Sequence, residues 1–193
     1  MKILLIDLNK EMCDQWNLHF KDCKDVIVHH GDFFSLATDC IVSPANSFGF
    51  MDGGLDMVIT ERLGWQVQEK LQTQIKENYF GELLVGQAEL VETEVEEIPF
   101  CISAPTMRVP LILKDTLNVY LATKAIFRIL KIETRINTVS ISGLGTGVGN
   151  VPLDICAKQM KQAYIDTWLN QDKFPNTWLE AYDKHFSLIQ NIF

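Results

Sequence analysis

The sequence has no run of about 18 apolar residues, so it offers no segment that could cross a membrane as a helix. It also has no Pro/Ser-rich linker, internal repeat or low-complexity block, and we therefore expect residues 1–193 to form one domain. The stretch from Met1 to Asp7 is apolar for only a few residues, which predicts a buried strand rather than a signal peptide. A membrane is not an expected partner.

Paired cysteines and metal-ligand spacings are missing as well. The five cysteines are scattered, odd in number and contain no C-x-x-C pair, which favours reduced thiols in a cytoplasmic protein. The four histidines share no metal-ligand spacing with the cysteines. We therefore expect neither a metal site nor a bound cofactor.

An excess of basic residues is the third absence. The chain has 17 Lys and Arg against 25 Asp and Glu, which gives a formal net charge of −8. Proteins that bind a phosphate backbone usually carry a basic surface, so nucleic acid is not an expected partner. If this chain binds phosphate, a few local groups must do so, and backbone amides are the obvious candidates.

The apolar residues, 47% of the chain, are ample for a core and fall into alternating short and long patterns. Strands are predicted at Ile3–Ile6, Val26–Val28, Cys40–Val42, Phe100–Ile102 and Val139–Ile141, with Gln87–Val91 as a weaker edge strand. Helices are predicted from Leu55 to about Asn78 with an interruption near Gly64, from Thr116 to about Lys131, from Leu153 onward, and over Trp178–Ile189. This alternation predicts an α/β fold whose mixed, mostly parallel central sheet is covered by helices on both faces.

Two segments, 43–56 and 142–152, hold seven of the eleven glycines. Each follows a predicted strand and opens a predicted helix, so both lie at the sheet edge where α/β proteins bind ligands. Glycine lets backbone N–H groups converge on an anion, and a helix N-terminus favours phosphate. Together the loops could hold a diphosphate without Lys or Arg. The alternative is that the glycines only make tight turns between packed elements.

Two common phosphate-binding motifs are not present. A Rossmann G-x-G-x-x-G would need glycine where the chain has Val148 or Asn150, and no acidic strand end follows about 20 residues later. A Walker loop is excluded because no Gly-Lys-Ser/Thr occurs.

The two loops do resemble another family, the macro domains. Residues 39–47, DCIVSPANS, and 51–59, MDGGLDMVI, are similar to the macro-domain signature D-x-I-V-N-A-A-N-S … M-G-G-G-V-D-G-A-I. Gly31-Asp32-Phe33 resembles the family's G-D-I, and residues 147–152 resemble its phosphate loop. Order and spacing agree from about Val26 to Ala163. The resemblance implies a three-layer α/β/α macro-domain fold that binds ADP-ribose or a related adenine nucleotide.

The resemblance also implies roles for individual residues. Asp32 would accept a hydrogen bond from the adenine amino group, and Asn46 would hold hydroxyls of the distal ribose. Asp56, ten residues after Asn46, would position the attacking water. The other ligand-binding positions that it implies are Phe33, Ala45, Gly53, Gly54, Leu55, Gly145, Thr146, Gly147, Val148, Gly149 and Asn150. From the residues alone, Asp32 and Asn46 are equally typical turn residues, and Asp56 is an ordinary acid in a helix's first turn.

The sequence departs from the family pattern at several positions. Ser43 replaces an asparagine, and Asp52 replaces a glycine and adds a negative charge beside a diphosphate. Gly149 stands where an aromatic residue usually packs on the distal ribose, which predicts a more open distal pocket. Arg108, in a proline-bounded loop, is either a cation placed to meet an anion or a solvated residue.

Several functions are consistent with this resemblance. It implies an enzyme that hydrolyses ester- or glycosidically linked ADP-ribose, with an ADP-ribosylated macromolecule as one substrate class. The alternatives are a phosphatase of ADP-ribose-1″-phosphate, a non-catalytic module that binds ADP-ribose or another NAD-derived nucleotide, and a subunit with a degenerate site. Asn46 and Asp56 favour the enzyme, whereas Ser43, Asp52 and Gly149 favour the binding module.

Overall fold

The computed structural model describes residues 1–189, and the expectation of one domain over residues 1–193 extends beyond that range. The strands are β1 (Lys2–Asp7), β2 (Val26–His30), β3 (Cys40–Ser43), β4 (Glu89–Glu92), β5 (Phe100–Ser103) and β6 (Thr138–Ile141). The helices are α1 (Lys10–Phe20), α2 (Gly54–Leu63), α3 (Gln66–Asn78), α4 (Asn118–Ile132), α5 (Leu153–Ala163) and α6 (Trp178–Ser187). Every strand predicted from the sequence is confirmed.

The six strands form one sheet in the order β2-β1-β6-β3-β5-β4. All neighbouring pairs are parallel except β4 and β5, which are antiparallel. The sheet is therefore mixed and mostly parallel, as the alternation of elements predicts, and β4 lies at an edge. Because β1, β3, β5 and β6 run in the same direction, the loops that follow them meet at one edge of the sheet.

Two hydrophobic cores lie on opposite faces of the sheet. Alternation along β1 sends Ile3 and Leu5 to one core and Leu4 and Ile6 to the other, as expected for a strand covered on both sides. Helices α1, α4 and α5 cover the first face, and α2 and α3 cover the second. The molecule has the expected three layers, helix, sheet and helix.

Helix α1 is the one helix that the sequence analysis does not predict. Its buried face consists of Met12, Cys13, Trp16 and Phe20, and three of these lie four residues apart. The side chain of Asn9 caps the helix by accepting a hydrogen bond from Glu11 N. The spacing of four and the cap are both signals of a helix, but the helix is otherwise polar and short.

The two C-terminal helical segments differ from the prediction in detail. Helix α5 continues into a π-helical turn, Tyr164–Trp168, and α6 ends at Ser187, two residues before the predicted end. No residue of α6 is buried. Lys184 ties it to the body of the protein by lying 3.0 Å from the buried carboxylate of Asp166.

The edge strand β4 has its outward carbonyl groups covered by side chains from α3 and the residue after it. Lys70 Nζ donates to Glu92 O at 2.9 Å, Gln74 Nε2 to Leu90 O at 3.3 Å, and Tyr79 Oη to Ala88 O at 3.4 Å. The three acceptors are every second residue from Ala88, just before β4, to Glu92. Carbonyl groups that face away from β5 must alternate in this way. The edge is thus partly satisfied within the chain.

Candidate functional site

The segment between β5 and α4 connects the two glycine loops at the sheet edge. On one side, Thr106 N donates to Ala45 O at 3.0 Å, and Ser47 N donates to Arg108 O at 3.2 Å. On the other, Leu113 N donates to Gly149 O at 2.7 Å. The loops 43–56 and 142–152 are therefore brought together, as the sequence predicts, with this segment as a third wall.

The first loop is organised by the side chain of Asn46. Its Oδ1 accepts from Phe48 N at 3.1 Å and Phe50 N at 3.3 Å, and its Nδ2 donates to Phe50 O at 2.7 Å. Both ends of the amide are thus used within the loop. The turn role that the sequence leaves open for Asn46 is present in this structure, and its contact with a ribose stays a prediction.

The end of the first loop leaves space around two glycines. No atom lies within 4 Å of a Cβ built at Gly53 or Gly54, and both residues are exposed together with Asp52. Gly54, with φ of +58°, begins α2, so the free N–H groups of that helix lie beside this space. Such a position suits an anion.

Asp56 lies in the first turn of α2 and is buried, with 7% of its surface exposed. Its Oδ1 accepts a hydrogen bond from Ser43 Oγ at 2.6 Å. Burial raises the pKa of Asp56 from 3.8 to about 6, and the bond from Ser43 opposes that rise. Burial, followed by the nearby Asp56 carboxylate, raises the pKa of the Cys101 thiol on β5. Asp56 therefore bonds to Ser43 at the end of β3 and lies close enough to Cys101 on β5 to affect its pKa.

In the second loop, most glycines are required by packing. A Cβ at Gly149 would lie 2.5 Å from Gly145 O and 2.9 Å from Leu113 Cδ1, and Gly145 has a φ of +71°. Leu113 is buried and fills the space beside Gly149. A side chain from the β5–α4 segment therefore occupies the space beside Gly149, and the expected openness of the distal pocket stays a prediction.

The tip of the second loop is open instead. No atom lies within 4 Å of a Cβ at Gly147, and Val148 is 61% exposed. Thr146 Oγ1 donates to Gly143 O at 2.8 Å, which fixes the start of this tip. Asn150 is exposed, with φ of +50°, and its N–H closes the turn on Gly147 O at 3.0 Å. Helix α5 begins three residues later.

The remaining predicted ligand-binding residues differ in exposure. Asp32 is exposed and its Oδ1 accepts from Phe34 N at 2.8 Å, which makes it a turn cap here. Phe33 and Ala45 are buried, and Leu55 packs partly buried against the second core. These three residues can meet a ligand chiefly through their backbone.

Arg108 lies beside the first loop and already has a carboxylate partner. Its Nε lies 2.7 Å from Glu82 Oε1, and its guanidinium carbon lies 5.0 Å from the centre of the Phe48 ring. The side chain is 63% exposed. Of the two roles considered for Arg108, the structure shows a surface ion pair that covers Phe48, while Phe50 remains 54% exposed.

Three contributors to this site were not identified from the sequence. The sequence presents Ser43 only as a departure from the family pattern, although its hydroxyl holds Asp56, and it does not indicate Leu113 or Glu82. The apolar run 111–113 in the loop after β5 is a signal that one of its residues is buried there. Glu82 and Arg108, 26 residues apart in the chain, carry no local signal of their pairing.

Metal and membrane sites find no support in the described residues. Residues 1–189 contain no cluster of three or more His, Cys, Asp or Glu that could hold a metal ion. Over the same range, no helix is long and apolar enough to span a membrane. Two concavities of about 610 Å³ and about 260 Å³ lie elsewhere, beside β4 and α6, and no residue of the glycine loops lines them.

A mostly parallel sheet with two glycine loops and two helix N-termini at its carboxyl edge is an arrangement that α/β proteins use for phosphate-bearing ligands. The macro domain family model matches residues 42–160. An uncharacterized protein of Aquifex aeolicus is 35% identical over 136 residues, which is 70% of this chain and 78% of that protein. Another, of Sulfolobus acidocaldarius, is 26% identical over 140 residues, or 72% and 74% of the two chains. The chain belongs to the macro domain family.

Solved structures of macrodomains have the same fold. The Oceanobacillus iheyensis macrodomain with ADP has a TM-score of 0.62 at 20% identity, covering 82% of this chain and 84% of that one. A glycine-to-valine mutant of the same macrodomain with ADPR has a TM-score of 0.63 at 19% identity, covering 82% and 86%. The macrodomain of Mycobacterium tuberculosis DarG has a TM-score of 0.61 at 20% identity, covering 70% and 87%. The predicted three-layer macro-domain fold is confirmed.

Proposed function

We propose that the edge formed by the two glycine loops binds ADP-ribose or a close NAD-derived nucleotide. The observation that carries this proposal is the contrast among the glycines. Gly53, Gly54 and Gly147 have open space where a side chain would lie, and each is exposed near the start of a helix. A backbone that has neither a side chain nor a packed neighbour leaves its N–H groups accessible to a diphosphate.

The chain's relatives support this choice of ligand. The Oceanobacillus iheyensis macrodomain is known with ADP and, as a mutant, with ADPR. In this chain the diphosphate would lie between residues 53–54 and residues 145–148, with the helix N-termini of α2 and α5 on either side. Asp32 would meet the adenine, and Gly149 and Asn150 would border the distal ribose.

Asn46 has to change partners to hold the distal ribose. Its amide bonds only within the loop, twice to Phe50, whose side chain is 54% exposed. A ribose hydroxyl could replace Phe50 O as the acceptor from Nδ2 without opening the bond from Phe48 N. Movement of residue 50 on ligand binding is the rearrangement that this role requires.

Calorimetric titration with ADP-ribose, with AMP as the control, tests the binding proposal. We expect ADP-ribose to bind with a roughly micromolar dissociation constant, about −8 kcal/mol, and AMP to bind more weakly. Equal affinities for the two ligands would remove the diphosphate and distal ribose from the site. Absence of binding by either would contradict the proposal.

Asp32→Ala tests the orientation of the bound nucleotide. The variant should weaken ADP-ribose and AMP but leave ribose phosphate unaffected, because only the first two carry the adenine amino group. Asp32→Asn is the matched control, since its Oδ1 can still accept from Phe34 N and preserve the turn. If ribose phosphate weakens equally in Asp32→Ala, the adenine assignment is wrong.

A second candidate function, hydrolysis of an ADP-ribosyl linkage, is favoured by Asp56. Its pKa of about 6 leaves it mostly ionised at neutral pH, so it can accept a hydrogen bond from an attacking water. The hydroxyl of Ser43 fixes Oδ1, which leaves Oδ2 as the atom for the water. The product would be free ADP-ribose from an ester, a glycoside or an ADP-ribosylated macromolecule.

Asp56→Asn distinguishes the enzyme from a binding module. The amide keeps an oxygen for Ser43 but cannot act as a base, so hydrolysis should be lost while ADP-ribose affinity changes less than about tenfold, or about 1.4 kcal/mol. Wild-type turnover should increase as pH rises through about 6, when Asp56 ionises. Unchanged turnover in the variant would exclude Asp56 from the mechanism.

A further inference from the structure

Cys23 and Lys161 form a contact that includes no residue of the proposed site. Cys23 lies in the turn between α1 and β2, and Lys161 lies in the last turn of α5. Lys161 Nζ is 2.7 Å from Cys23 Sγ, although the two residues are 138 positions apart. Both side chains are partly exposed.

This separation is short for a hydrogen bond to sulfur. The hydrogen bonds that other cysteine thiols form with backbone oxygen are 3.3–3.6 Å long. A distance of 2.7 Å is at the lower end of the range for N–H···O bonds, roughly 2.7–3.2 Å, in which the acceptor is the smaller oxygen atom. A nitrogen and a sulfur atom that are both bonded to one oxygen atom lie at such a separation.

The surroundings leave the pair facing each other. No carboxylate within residues 1–189 forms an ion pair with Lys161, whose Nζ lies 5.1 Å and 5.3 Å from the ring centres of Phe20 and Tyr164. The nearby Asp25 carboxylate accepts hydrogen bonds from Tyr164 Oη at 2.5 Å and Trp168 Nε1 at 2.6 Å. The thiol is thus the closest polar partner of this amine.

Cys23 also differs from the other cysteines in access to solvent. Cys13, Cys40, Cys101 and Cys156 are all buried, whereas Cys23 is only half-buried. Oxidants in solution act on exposed thiols in preference to buried ones. Cys23 is therefore the cysteine that peroxide reaches first, and an amine lies beside it.

We propose that Cys23 and Lys161 form a site of oxidative modification, an N–O–S cross-link made by hydrogen peroxide. One peroxide oxidises the Cys23 thiol to a sulfenic acid and is reduced to water. The Lys161 amine, having lost its ammonium proton to solvent, is oxidised by a second peroxide and joins through nitrogen to the sulfenic oxygen, with release of two waters. Sulfur and nitrogen each lose two electrons, and each peroxide accepts two.

The cross-link would connect the α1–β2 turn to α5, the helix that begins just after the second glycine loop. It would close a segment of 138 residues in the unfolded chain. Closing a long segment reduces the conformational freedom of the unfolded state, so the oxidised protein should melt at a higher temperature than the reduced protein.

Intact mass spectrometry after treatment with hydrogen peroxide tests the proposal. The wild-type chain should gain about 14 Da, because one oxygen is added and two hydrogens are lost, and dithiothreitol should reverse the gain. Lys161→Arg preserves the charge but should yield only gains of about 16 or 32 Da, the sulfenic and sulfinic forms. Cys23→Ser should show neither the 14 Da species nor its reversal.

Peptide mapping of the wild-type chain makes the result independent of the variants' folding. Trypsin should release residues 22–24 joined to residues 159–173, because the bonded Lys161 is no longer a cleavage site. The proposal is overturned if oxidised wild-type protein carries only oxygen additions on Cys23, or if the 14 Da species persists in Lys161→Arg. A Tm that does not rise with the cross-link would overturn its predicted stabilising effect.

Discussion

The two glycine loops are both rich in glycine but are held in place by different interactions. Side chains organise the first loop, where Asn46 bonds to Phe48 and Phe50 and Gln68 Oε1 accepts from Met51 N at 2.7 Å. Close packing organises the second, where Gly145 and Gly149 lie against each other and Leu113. Glycine at these two packed positions is a steric requirement, and the φ of +58° at Gly54 also favours glycine, whereas at Gly53 and Gly147 nothing in the fold requires it.

This difference separates stability from function within one site. A glycine that the fold requires gives no information about a ligand, because the protein would need it in any case. A glycine with open space around it and no positive φ, such as Gly53 or Gly147, is unexplained by the fold and so points to something outside the chain. Asp56 has both kinds of feature. Its Oδ1 accepts a hydrogen bond from Ser43, at the end of β3, whereas its Oδ2 is the atom that we assign to a bound water.

The largest expected effect concerns Asp56 and the pH dependence of the first loop. Because folding raises its pKa from 3.8 to about 6, the folded state binds the proton more tightly than the unfolded state. Wild-type stability should therefore fall as pH rises from about 4 to about 6, by at most about 3 kcal/mol. Asp56→Asn should lack this contribution, as urea denaturation at several pH values would reveal. Parallel curves for the two proteins would contradict the raised pKa.

The next effect should come from the packed part of the second loop. In Gly149→Ala the new Cβ would meet the Gly145 carbonyl oxygen at 2.5 Å, and backbone cannot give way as a side-chain end can. We expect a loss of about 1–3 kcal/mol in the free energy of unfolding, measured by urea denaturation. A loss below about 0.5 kcal/mol would mean that the loop relaxes and that packing is not what requires this glycine.

A smaller effect is expected at the centre of the first loop. Asn46→Ala removes the acceptor for Phe48 N and Phe50 N and the donor to Phe50 O in a partly exposed turn. The free energy of unfolding should fall by roughly 1 kcal/mol. Asn46→Asp, which keeps the acceptor oxygen, should lose less. Equal losses would assign the stabilisation to the donor bond alone.

The smallest effect on stability should be at the open tip of the second loop. Gly147→Ala meets no atom within 4 Å, so its free energy of unfolding should stay within about 0.5 kcal/mol of the wild-type value. Its ADP-ribose affinity, measured by titration, should nevertheless fall if the backbone there approaches the diphosphate. Unchanged affinity would remove Gly147 from the binding surface. Gly149→Ala is the contrasting variant, because its free energy of unfolding should fall.

The sequence predicts much of this fold because its signals are local. Short apolar runs identify the strands, and Gly64, with φ of +96°, ends α2 where a break in the helical pattern is expected. The position of the glycine loops follows from parallel strands. Helix α1 is missed because only a narrow apolar stripe distinguishes it from a polar segment.

The site is less predictable because its contacts are long-range. Ser43 and Asp56 are 13 residues apart, and Leu113 reaches Gly149 from another segment, so neither pairing follows from spacing. A family pattern identifies which residue types occupy a position but not what replaces them when they change. Here the residue that packs against Gly149 is a leucine from a neighbouring segment.

The covered edge strand has a consequence for the molecule in concentrated solution. A strand at a sheet edge is a template on which another chain can pair, and that pairing is a route to aggregates. The outward carbonyl groups of Leu90 and Glu92 on β4, and of Ala88 just before it, already accept hydrogen bonds from the α3 side. An incoming strand would have to displace Lys70, Gln74 and Tyr79 to reach them. Crowded molecules should therefore resist joining edge to edge on this side.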